Sequence, residues 1–218
     1  MKRKQLAKTD HIDNAFDIIT MKKKKKVCRT ILEKVISGGQ SGADRAALEA
    51  AKALNIQTGG IAPLDFMTSD GKRPELGCKY HLKELDHQSF TGKSMANMYI
   101  ERSKLNVDHS DGTIAFRLYQ SNGTDKTIGY CLTKKWVVVN SSKKYIQEKK
   151  TYYKPILIID DLRNESNKYE IMRFINEYRI KTLNVCGHRN FSNPDKSQDG
   201  DFFHQVKSIL MDAFELNI

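Results

Sequence analysis

Three glycines in the stretch GGQSGADRAA, residues 38–47, are the first residues whose type and spacing indicate chemistry. Glycine lets the backbone approach a ligand, and the first amides of a following helix have no partner within the helix, so such a turn can bind a phosphate. In the alternative, a plain tight turn, Ser41 and Asp44 only cap the helix and Arg45 pairs with Glu49. We favour the phosphate site because a strand, a glycine turn and an amphipathic helix follow in that order.

A second candidate is the segment ERSKLNVDHSDGT, residues 101–113. Arg102 and Asn106 are four residues apart, so both side chains project from one helix face. A guanidinium beside an amide suits a phosphate or a polar heterocycle. A salt bridge between Arg102 and Asp111 that only holds the fold is the alternative. Four further candidates surround the start of the next strand, namely Ser110, Asp111, Gly112 and Thr113.

Two more turns carry groups that could meet an anion. The stretch SNGTDKT, residues 121–127, places Gly123 and Thr124 at the opening of a helix, which again offers N–H groups and hydroxyls. The last predicted strand ends in LNVCGHR, so that Arg189 could neutralise a phosphate at the same edge of the sheet. We interpret His188 as a partly exposed turn residue rather than as a catalytic base.

The elements that must position these turns follow from hydrophobic periodicity. From Val27 onwards short apolar runs alternate with helix-period segments, which is typical of βαβ units and a parallel sheet. This pattern predicts a doubly wound, mostly parallel, Rossmann-like α/β fold with helices on both faces. Its ligand crevice would lie beyond the carboxyl ends of the strands.

The boundaries of the predicted elements are as follows. Strands are predicted at residues 32–36, 57–62, 112–116, 155–160 and 182–186, and helices at about 43–54, 94–106, 124–133, 168–178 and 200–214. Residues 64–92 have turn chemistry and little periodicity, so we interpret them as a long functional loop. Residues 136–140 resemble an extra strand.

Length and charge predict the domain organisation. A chain of 218 residues fits one domain with additions. The net charge of +11 is concentrated in residues 1–26 and 134–154, which carry +6 each. We predict a basic, mobile N-terminal arm over residues 1–26 and a single Rossmann-like ligand-binding domain over 27–218, with a Lys-rich insertion at about 134–154. Binding of nucleic acid through the two basic segments is a weaker alternative.

The cysteines and the apolar runs bear on location and on metal chemistry. Four cysteines are widely spread without a CxxC pair, which fits a reducing compartment, and no apolar run reaches the roughly 18 residues of a membrane span. We therefore predict a cytoplasmic protein with no membrane partner.

Cys78 and His81 have a ligand-like spacing but no matching second pair, so no metal site is predicted. Cys186 is expected to point into the sheet as a small apolar residue.

The motifs together resemble a known family. The three segments above, with GGIAP at 59–63, YHLKE at 80–84, KPILIID at 154–160 and LNVCGHR at 183–189, resemble the putative molybdenum carrier family. The resemblance covers about residues 32–133 and 154–210. That family is similar in turn to Rossmann-like proteins that include the lysine-decarboxylase-like cytokinin-activating enzymes and bacterial nucleotide sensors.

The resemblance implies a homo-oligomer with a pocket for the molybdenum cofactor (molybdopterin), a nucleotide or a related phosphorylated ligand. It implies that the pocket is lined by Gly38, Gly39, Gln40, Ser41, Gly42, Asp44, Arg102, Asn106, Ser110, Asp111, Gly112, Thr113, Gly123, Thr124 and Arg189. The chain differs from the family at His188, where the family usually has proline, and this difference affects the shape of the last turn.

One position separates a binding protein from an enzyme. The cytokinin-activating enzymes cleave the N-glycosidic bond of nucleoside monophosphates with the glutamate of a GTxxE turn, and Thr127 stands at that position here. A hydroxyl cannot readily replace a carboxylate in general acid–base catalysis at neutral pH. We therefore predict a binding or carrier protein without catalytic residues. The alternative is a nucleotide-processing enzyme, a nucleoside-monophosphate N-ribohydrolase or a phosphotransferase, that uses Asp44 or Asp111 as its acid or base.

Overall fold

The computed structural model of the chain describes residues 32–86, 94–133, 154–190 and 202–217. Within these ranges eight strands and six helices follow one another along the chain. In chain order they are β1 (Lys34–Ile36), α1 (Ala43–Ala53), β2 (Gln57–Ala62), β3 (Met67–Thr68), β4 (Gly71–Lys72), α2 (Glu75–Tyr80), β5 (Leu82–Glu84), α3 (Met95–Asp108), β6 (Gly112–Phe116), α4 (Asn122–Thr133), β7 (Ile156–Ile159), α5 (Asn167–Glu177), β8 (Thr182–Gly187) and α6 (Phe202–Glu215).

Six of these strands form one sheet in the order β5-β2-β1-β8-β6-β7, and every neighbouring pair is parallel. The chain winds outward from β1 through β2 to β5 and then crosses to β6 and β7. Strand β8 returns between β1 and β6, so the carboxyl ends of these three strands lie side by side. The predicted doubly wound, Rossmann-like fold class is confirmed.

Helices cover both faces of the sheet. The small residues of α1 are fully buried at Ala43, Ala46, Ala47, Ala50 and Ala51, because their 3.6-residue spacing forms one face. This face packs with α5 and α6 over the main core. Helices α3 and α4 pack against each other beside the other face. Among the described residues no helix has both the length and the apolarity to cross a membrane.

The prediction of a loop over residues 64–92 is wrong for residues 64–86, and residues 87–92 lie outside the described residues. This stretch contains a short 3₁₀ turn at Leu64–Phe66, the antiparallel hairpin of β3 and β4, helix α2 and strand β5. Strand β5 pairs with β2 from Leu82 opposite Gly60 and extends the main sheet. A strand of three residues is too short to show a period of two, so the sequence pattern could not reveal it.

The other predicted elements agree with the structure to within a few residues. Helix α3 continues to Asp108, two residues beyond the predicted end, and α4 begins at Asn122 instead of Thr124. The predicted strand over residues 136–140 lies outside the described residues, as do the basic arm over residues 1–26 and almost all of the Lys-rich insertion. The division into an arm and one domain therefore stays a prediction.

Candidate functional site

A pocket of about 320 Å³ lies beyond the carboxyl ends of β1, β8 and β6. The turn after β1 contributes Gln40 and Asp44, and β8 with its following turn contributes Cys186 and Arg189. Helix α3 contributes Tyr99, Arg102, Ser103 and Lys104, and the turn after β6 with the start of α4 contributes Ser121, Asn122, Gly123, Thr124, Lys126 and Thr127. A cavity therefore lies at the edge of the sheet where the sequence predicted a ligand crevice, and its occupation by a ligand stays a prediction.

The glycines of the first turn make room for neighbouring groups. A Cβ on Gly38 would lie 1.1 Å from Nη1 of Arg102, so the guanidinium occupies the space above this glycine. Gly42 has a φ of 82°, and a Cβ there would lie 2.2 Å from the carbonyl oxygen of His188. Gly39 also has a positive φ of 75°. These glycines serve close packing within the protein, and neither Gly38, Gly39 nor Gly42 is among the pocket-lining residues.

A buried ion pair joins the first turn to α3. Nη1 of Arg102 donates to Oδ2 of Asp44 at 3.1 Å, and the two side chains are only 9% and 4% exposed. The same carboxylate oxygen accepts the backbone N–H of Gln40 at 3.3 Å. Because Asp44 thus neutralises Arg102, the guanidinium has less positive charge to offer to a ligand than the sequence indicates.

The alternative interpretation of the first turn, in which Ser41 and Asp44 only cap the helix and Arg45 pairs with Glu49, agrees with the structure only in part. Ser41 forms a hydrogen bond with Ser69 at 2.7 Å, and the N-cap residue of α1, Gly42, receives no side-chain cap. Asp44 does bind a backbone amide, although that amide lies before the helix. Arg45 pairs with Asp70 at 3.2 Å and not with Glu49.

The alternative that paired Arg102 with Asp111 is wrong. Oδ2 of Asp111 accepts the backbone N–H groups of Lys181 and Thr182 at 3.0 and 2.8 Å. Asp111 therefore holds the start of β8, at the amino-terminal edge of the sheet and opposite to the pocket. A residue that precedes a parallel strand lies at this edge because all the strands run in the same direction.

Three further predicted site residues lie at or near this amino-terminal edge, outside the pocket. The hydroxyl of Ser110 donates to the carbonyl of Val107 at 2.9 Å. Gly112 lies against the side chain of Ile180, and Oγ1 of Thr113 accepts from Asn184 at 3.2 Å inside the sheet. Ser110, Gly112 and Thr113 therefore contact residues of the fold and not the pocket.

Asn106 lies on the helix face of Arg102, as predicted, but it contacts the backbone of β2. Its Oδ1 accepts the N–H of Ile61 at 2.8 Å, and its Nδ2 donates to the carbonyl of the same residue at 3.0 Å. The amide thus pairs with β2 as a peptide group of a neighbouring strand would. Asn106 is buried and does not line the pocket.

The start of α4 borders the pocket. The side chain of Asp125 accepts the N–H of Ser121 at 3.1 Å, and the N–H of Asp125 donates to the carbonyl of Ser121 at 2.8 Å. A hydrogen bond from Arg117 lowers the pKa of Asp125, so this capping carboxylate stays charged. Gly123 and Thr124, both predicted site residues, line the pocket in the first turn of the helix, where N–H groups have no partner within the helix.

The pocket carries an excess of positive charge. Among the described residues Asp44 is the carboxylate that lines it, against the basic side chains of Arg102, Lys104, Lys126 and Arg189. The guanidinium of Arg189 lies 5.2 Å from the centre of the Tyr99 ring. Lys104 donates to Glu101 at 2.8 Å, and this hydrogen bond raises the pKa of the lysine. Lys126 and Arg189 therefore add positive charge beside the amides of α4.

The residues around the end of β8 differ from the sequence-based interpretation. His188 is buried, not partly exposed, and its ring stacks on Tyr119 with centroids 3.8 Å apart. Cys186 lines the pocket, and burial raises the pKa of its thiol, so the neutral form dominates near neutral pH. Thr127, which stands at the position of the hydrolases' glutamate, donates to the carbonyl of Gly123 at 3.2 Å.

Several pocket residues were missed by sequence reasoning although a signal was present. Tyr99 and Ser103 stand three residues before and one residue after Arg102, so helical spacing places them on or beside its face. Lys126 lies in the first turns of α4, next to a turn that was already a candidate. Their participation required knowing that α3 and α4 face each other across the carboxyl end of β8.

Two comparisons relate this geometry to known proteins. The sequence profile of the circularly permutated YpsA SLOG family matches residues 35–207. The crystal structure of a putative molybdenum carrier protein from Syntrophus aciditrophicus SB, at 1.45 Å resolution, is similar with a TM-score of 0.61 and 27% sequence identity, over 84% of this chain and 95% of that chain. No curated protein matches the chain. The resemblance stated from the motifs is confirmed.

Proposed function

The chain belongs to the circularly permutated YpsA SLOG family, and from this premise we propose that it is a carrier-like protein that binds a phosphorylated pterin or nucleotide-like ligand in the pocket. The structural neighbour bears the name of a putative molybdenum carrier, which supports a small-molecule ligand. The observation that carries the proposal is the start of α4, whose open amides share one pocket with Lys126 and Arg189.

The anionic group of the ligand would lie at this start of α4. A helix of twelve residues, Asn122–Thr133, has a positive partial charge at its amino end and presents N–H groups that suit a phosphate. Gly123 leaves this end open to the described part of the chain, because a Cβ there would meet none of its atoms within 4 Å. Lys126 and Arg189 would complete the charge balance around a phosphate.

The remainder of the ligand would face the other wall of the pocket. Gln40 is almost fully buried, its Nε2 donates to the carbonyl of Met67 at 2.9 Å, and its Oε1 has no hydrogen-bond partner among the described residues. Nε of Arg102 likewise has no partner within the described ranges. An acceptor and a donor on the same wall suit the polar edge of a heterocycle or a hydroxyl group, and the pocket volume lies within the range of small-molecule sites.

The residues fit the organic part of a molybdenum cofactor better than they fit a metal ion. A soft metal takes thiolate ligands, and Cys186 is the thiol that lines the pocket among the described residues. Burial raises the pKa of this thiol and disfavours the thiolate. The open amides and the basic residues would hold a phosphate, and Gln40 would orient a ring system.

The contacts of Asp44 and the position of Asp111, the two acids considered for catalysis, favour binding over hydrolysis. Oδ2 of Asp44 accepts hydrogen bonds from Arg102 and from the amide of Gln40, so this carboxylate is occupied in holding the turn to α3. Asp111, the other acid proposed for catalysis, lies at the opposite edge of the sheet. Appreciable release of free base on incubation with nucleoside monophosphates would overturn the carrier proposal in favour of the hydrolase.

The first test identifies the ligand and the role of its phosphate. We expect mass spectrometry of the purified protein to find a phosphorylated small molecule, and calorimetric titration to show that GMP binds more tightly than guanosine. Replacing Arg189→Gln or Lys126→Gln should weaken GMP binding by about tenfold, since a charge-assisted hydrogen bond contributes about 1.5–3 kcal/mol. Lys168→Gln is the matched control, because Lys168 lies on α5 beside Asp212 and outside the pocket.

Two results would contradict the proposal. Equal affinity for GMP and guanosine would show that no phosphate site exists at α4. Equal weakening in the Lys168→Gln control would show that the effect comes from the overall charge of the protein and not from the pocket.

The assembly and the remaining partners are proposals as well. A homo-oligomer would appear as a multiple of the 25.0 kDa chain mass in light scattering. Binding to nucleic acid through the basic segments would show a steep salt dependence that disappears on deletion of residues 1–26. The cytoplasmic location stays a prediction.

A further inference from the structure

His188 connects three parts of the fold that border the pocket. Its Nε2 accepts the backbone N–H groups of Leu118 and Tyr119 at 2.9 and 3.2 Å, in the turn between β6 and α4. Its ring lies parallel to the Tyr119 ring at 3.8 Å, with an angle of 4° between the planes. The side chain is 2% exposed, although it comes from the turn after β8. The imidazole thus fixes a segment that lies about 70 residues earlier in the chain.

The backbone of His188 also contacts the first glycine turn. Its carbonyl oxygen accepts the N–H of Ala43, the first residue of α1, at 3.1 Å. A Cβ on Gly42 would lie 2.2 Å from this oxygen, so glycine at that position permits the contact. The N–H of His188 donates to the carbonyl of Phe116 at the end of β6. One residue therefore contacts both turns that precede the two helix starts at the pocket.

We propose that His188 is a positioning residue of the ligand pocket, with the unprotonated Nε2 of its neutral imidazole holding the β6–α4 turn so that the first amides of α4 meet the phosphate. This inference rests on the proposed function and assigns the geometry of its anion site to one side chain. Both N–H groups donate, so the nitrogen between them must be an acceptor without a proton. The stacking on Tyr119 fixes the ring plane in which this nitrogen points at the two amides.

Two substitutions distinguish the contribution of the Nε2 acceptor from that of the stacked ring. His188→Gln keeps an acceptor at about the position of Nε2 and loses the stacked ring, whereas His188→Phe keeps the ring and loses the acceptor. Amide hydrogen exchange at Leu118 and Tyr119, measured by NMR without ligand, should be about tenfold faster in the Phe variant and close to wild type in the Gln variant. Urea unfolding of both variants and the wild type identifies any change that is only global.

Nitrogen-15 spectra of the wild type at neutral pH give an independent signature. We expect the Nε2 resonance of His188 to be that of an unprotonated nitrogen. A proton on Nε2 would overturn the inference, as would equal exchange rates at the two amides in the Phe variant and the wild type. Rapid exchange in the Gln variant as well would assign the effect to the ring and would likewise overturn it.

Titration with GMP tests whether the β6–α4 turn that His188 holds contributes to ligand affinity. We expect about tenfold weaker binding to His188→Phe than to the wild type, and binding by His188→Gln close to wild type. Unchanged affinity in the Phe variant would overturn the role of His188 at the site. If the wild type itself does not bind GMP, the proposed function fails for that ligand, while the exchange and nitrogen-15 measurements still decide what His188 holds.

Discussion

Replacing Gly38 by alanine would remove the buried ion pair between Asp44 and Arg102 without touching either charged residue. The new Cβ would lie 1.1 Å from Nη1 and 2.0 Å from Cζ of Arg102, which is far inside van der Waals contact. The guanidinium must therefore leave its place. Asp44 would then keep the amide of Gln40, at 3.3 Å, as its hydrogen-bond donor in a site where its side chain is 4% exposed.

The expected cost follows from this burial. Removing one partner of a buried ion pair typically destabilises a protein by about 3–5 kcal/mol, because the other charge stays buried without compensation. We expect a loss near the lower end, about 3 kcal/mol, because the amide of Gln40 still solvates one carboxylate oxygen of Asp44 and Arg102 is the flexible partner that moves.

Urea unfolding followed by circular dichroism measures the change. Gly129→Ala is the matched control, since Gly129 lies within α4 and a Cβ there would meet no atom of the described residues within 4 Å. Alanine in a helix interior should stabilise the protein by about 0.5–1 kcal/mol. Glycine to alanine is therefore expected to lower the free energy of unfolding at position 38 and to raise it at position 129.

A double-mutant cycle tests the stated cause. In an Arg102→Met background, Gly38→Ala should cost less than about 1 kcal/mol, because the guanidinium that it displaces is already absent. Full additivity of the two substitutions, or a loss below about 1 kcal/mol for Gly38→Ala alone, would refute the reasoning.

Three further predictions concern other contacts of α1 and the end of β8. Hydrogen bonds from Lys79 and, to a smaller extent, from Tyr80 lower the pKa of Glu49 to about 2. Glu49→Gln should therefore lower the free energy of unfolding at pH 7. In urea unfolding, the difference in this free energy between the variant and the wild type should shrink as the pH falls from about 4.5 to about 2. Gly42→Ala should cost more than about 2 kcal/mol, because it places a Cβ at a φ of 82° and 2.2 Å from a carbonyl oxygen. Because burial raises the pKa of Cys186, iodoacetamide at pH 7.5 should label exposed Cys78 before Cys186, and earlier labelling of Cys186 would contradict this.

Most of the fold was accessible from the sequence. The alanine periodicity of α1, the segment of β2 that ends before Pro63 and the apolar run of β6 predicted elements whose limits agree with the structure to within a residue. These signals are local, because burial of one helix face or one strand leaves a repeat of 3.6 or 2 residues. The residues from 64 to 86 escaped prediction, because a hairpin of two-residue strands and a three-residue edge strand are too short to carry a period.

The candidate site was accessible in part. Glycines and hydroxyls after predicted strands pointed to the carboxyl edge of the sheet, and Gln40, Gly123, Thr124 and Arg189 do line the pocket there. Ser110 and its three neighbours were placed with them, although they surround the start of β6. Parallel strands put starts and ends at opposite edges, so the order of strand and candidate residue already contained this distinction.

The sequence by itself determined which segments become strands and helices and which turns carry glycine, because each depends on neighbours within a few residues. Tertiary structure alone decided the partners: Arg102 meets Asp44 at a separation of 58 residues, and His188 meets Leu118 at a separation of 70. Such contacts depend on the order of strands in the sheet, which inserts β8 between β1 and β6. Packing of distant elements therefore decides whether a charged or polar side chain faces the pocket or is used to hold it.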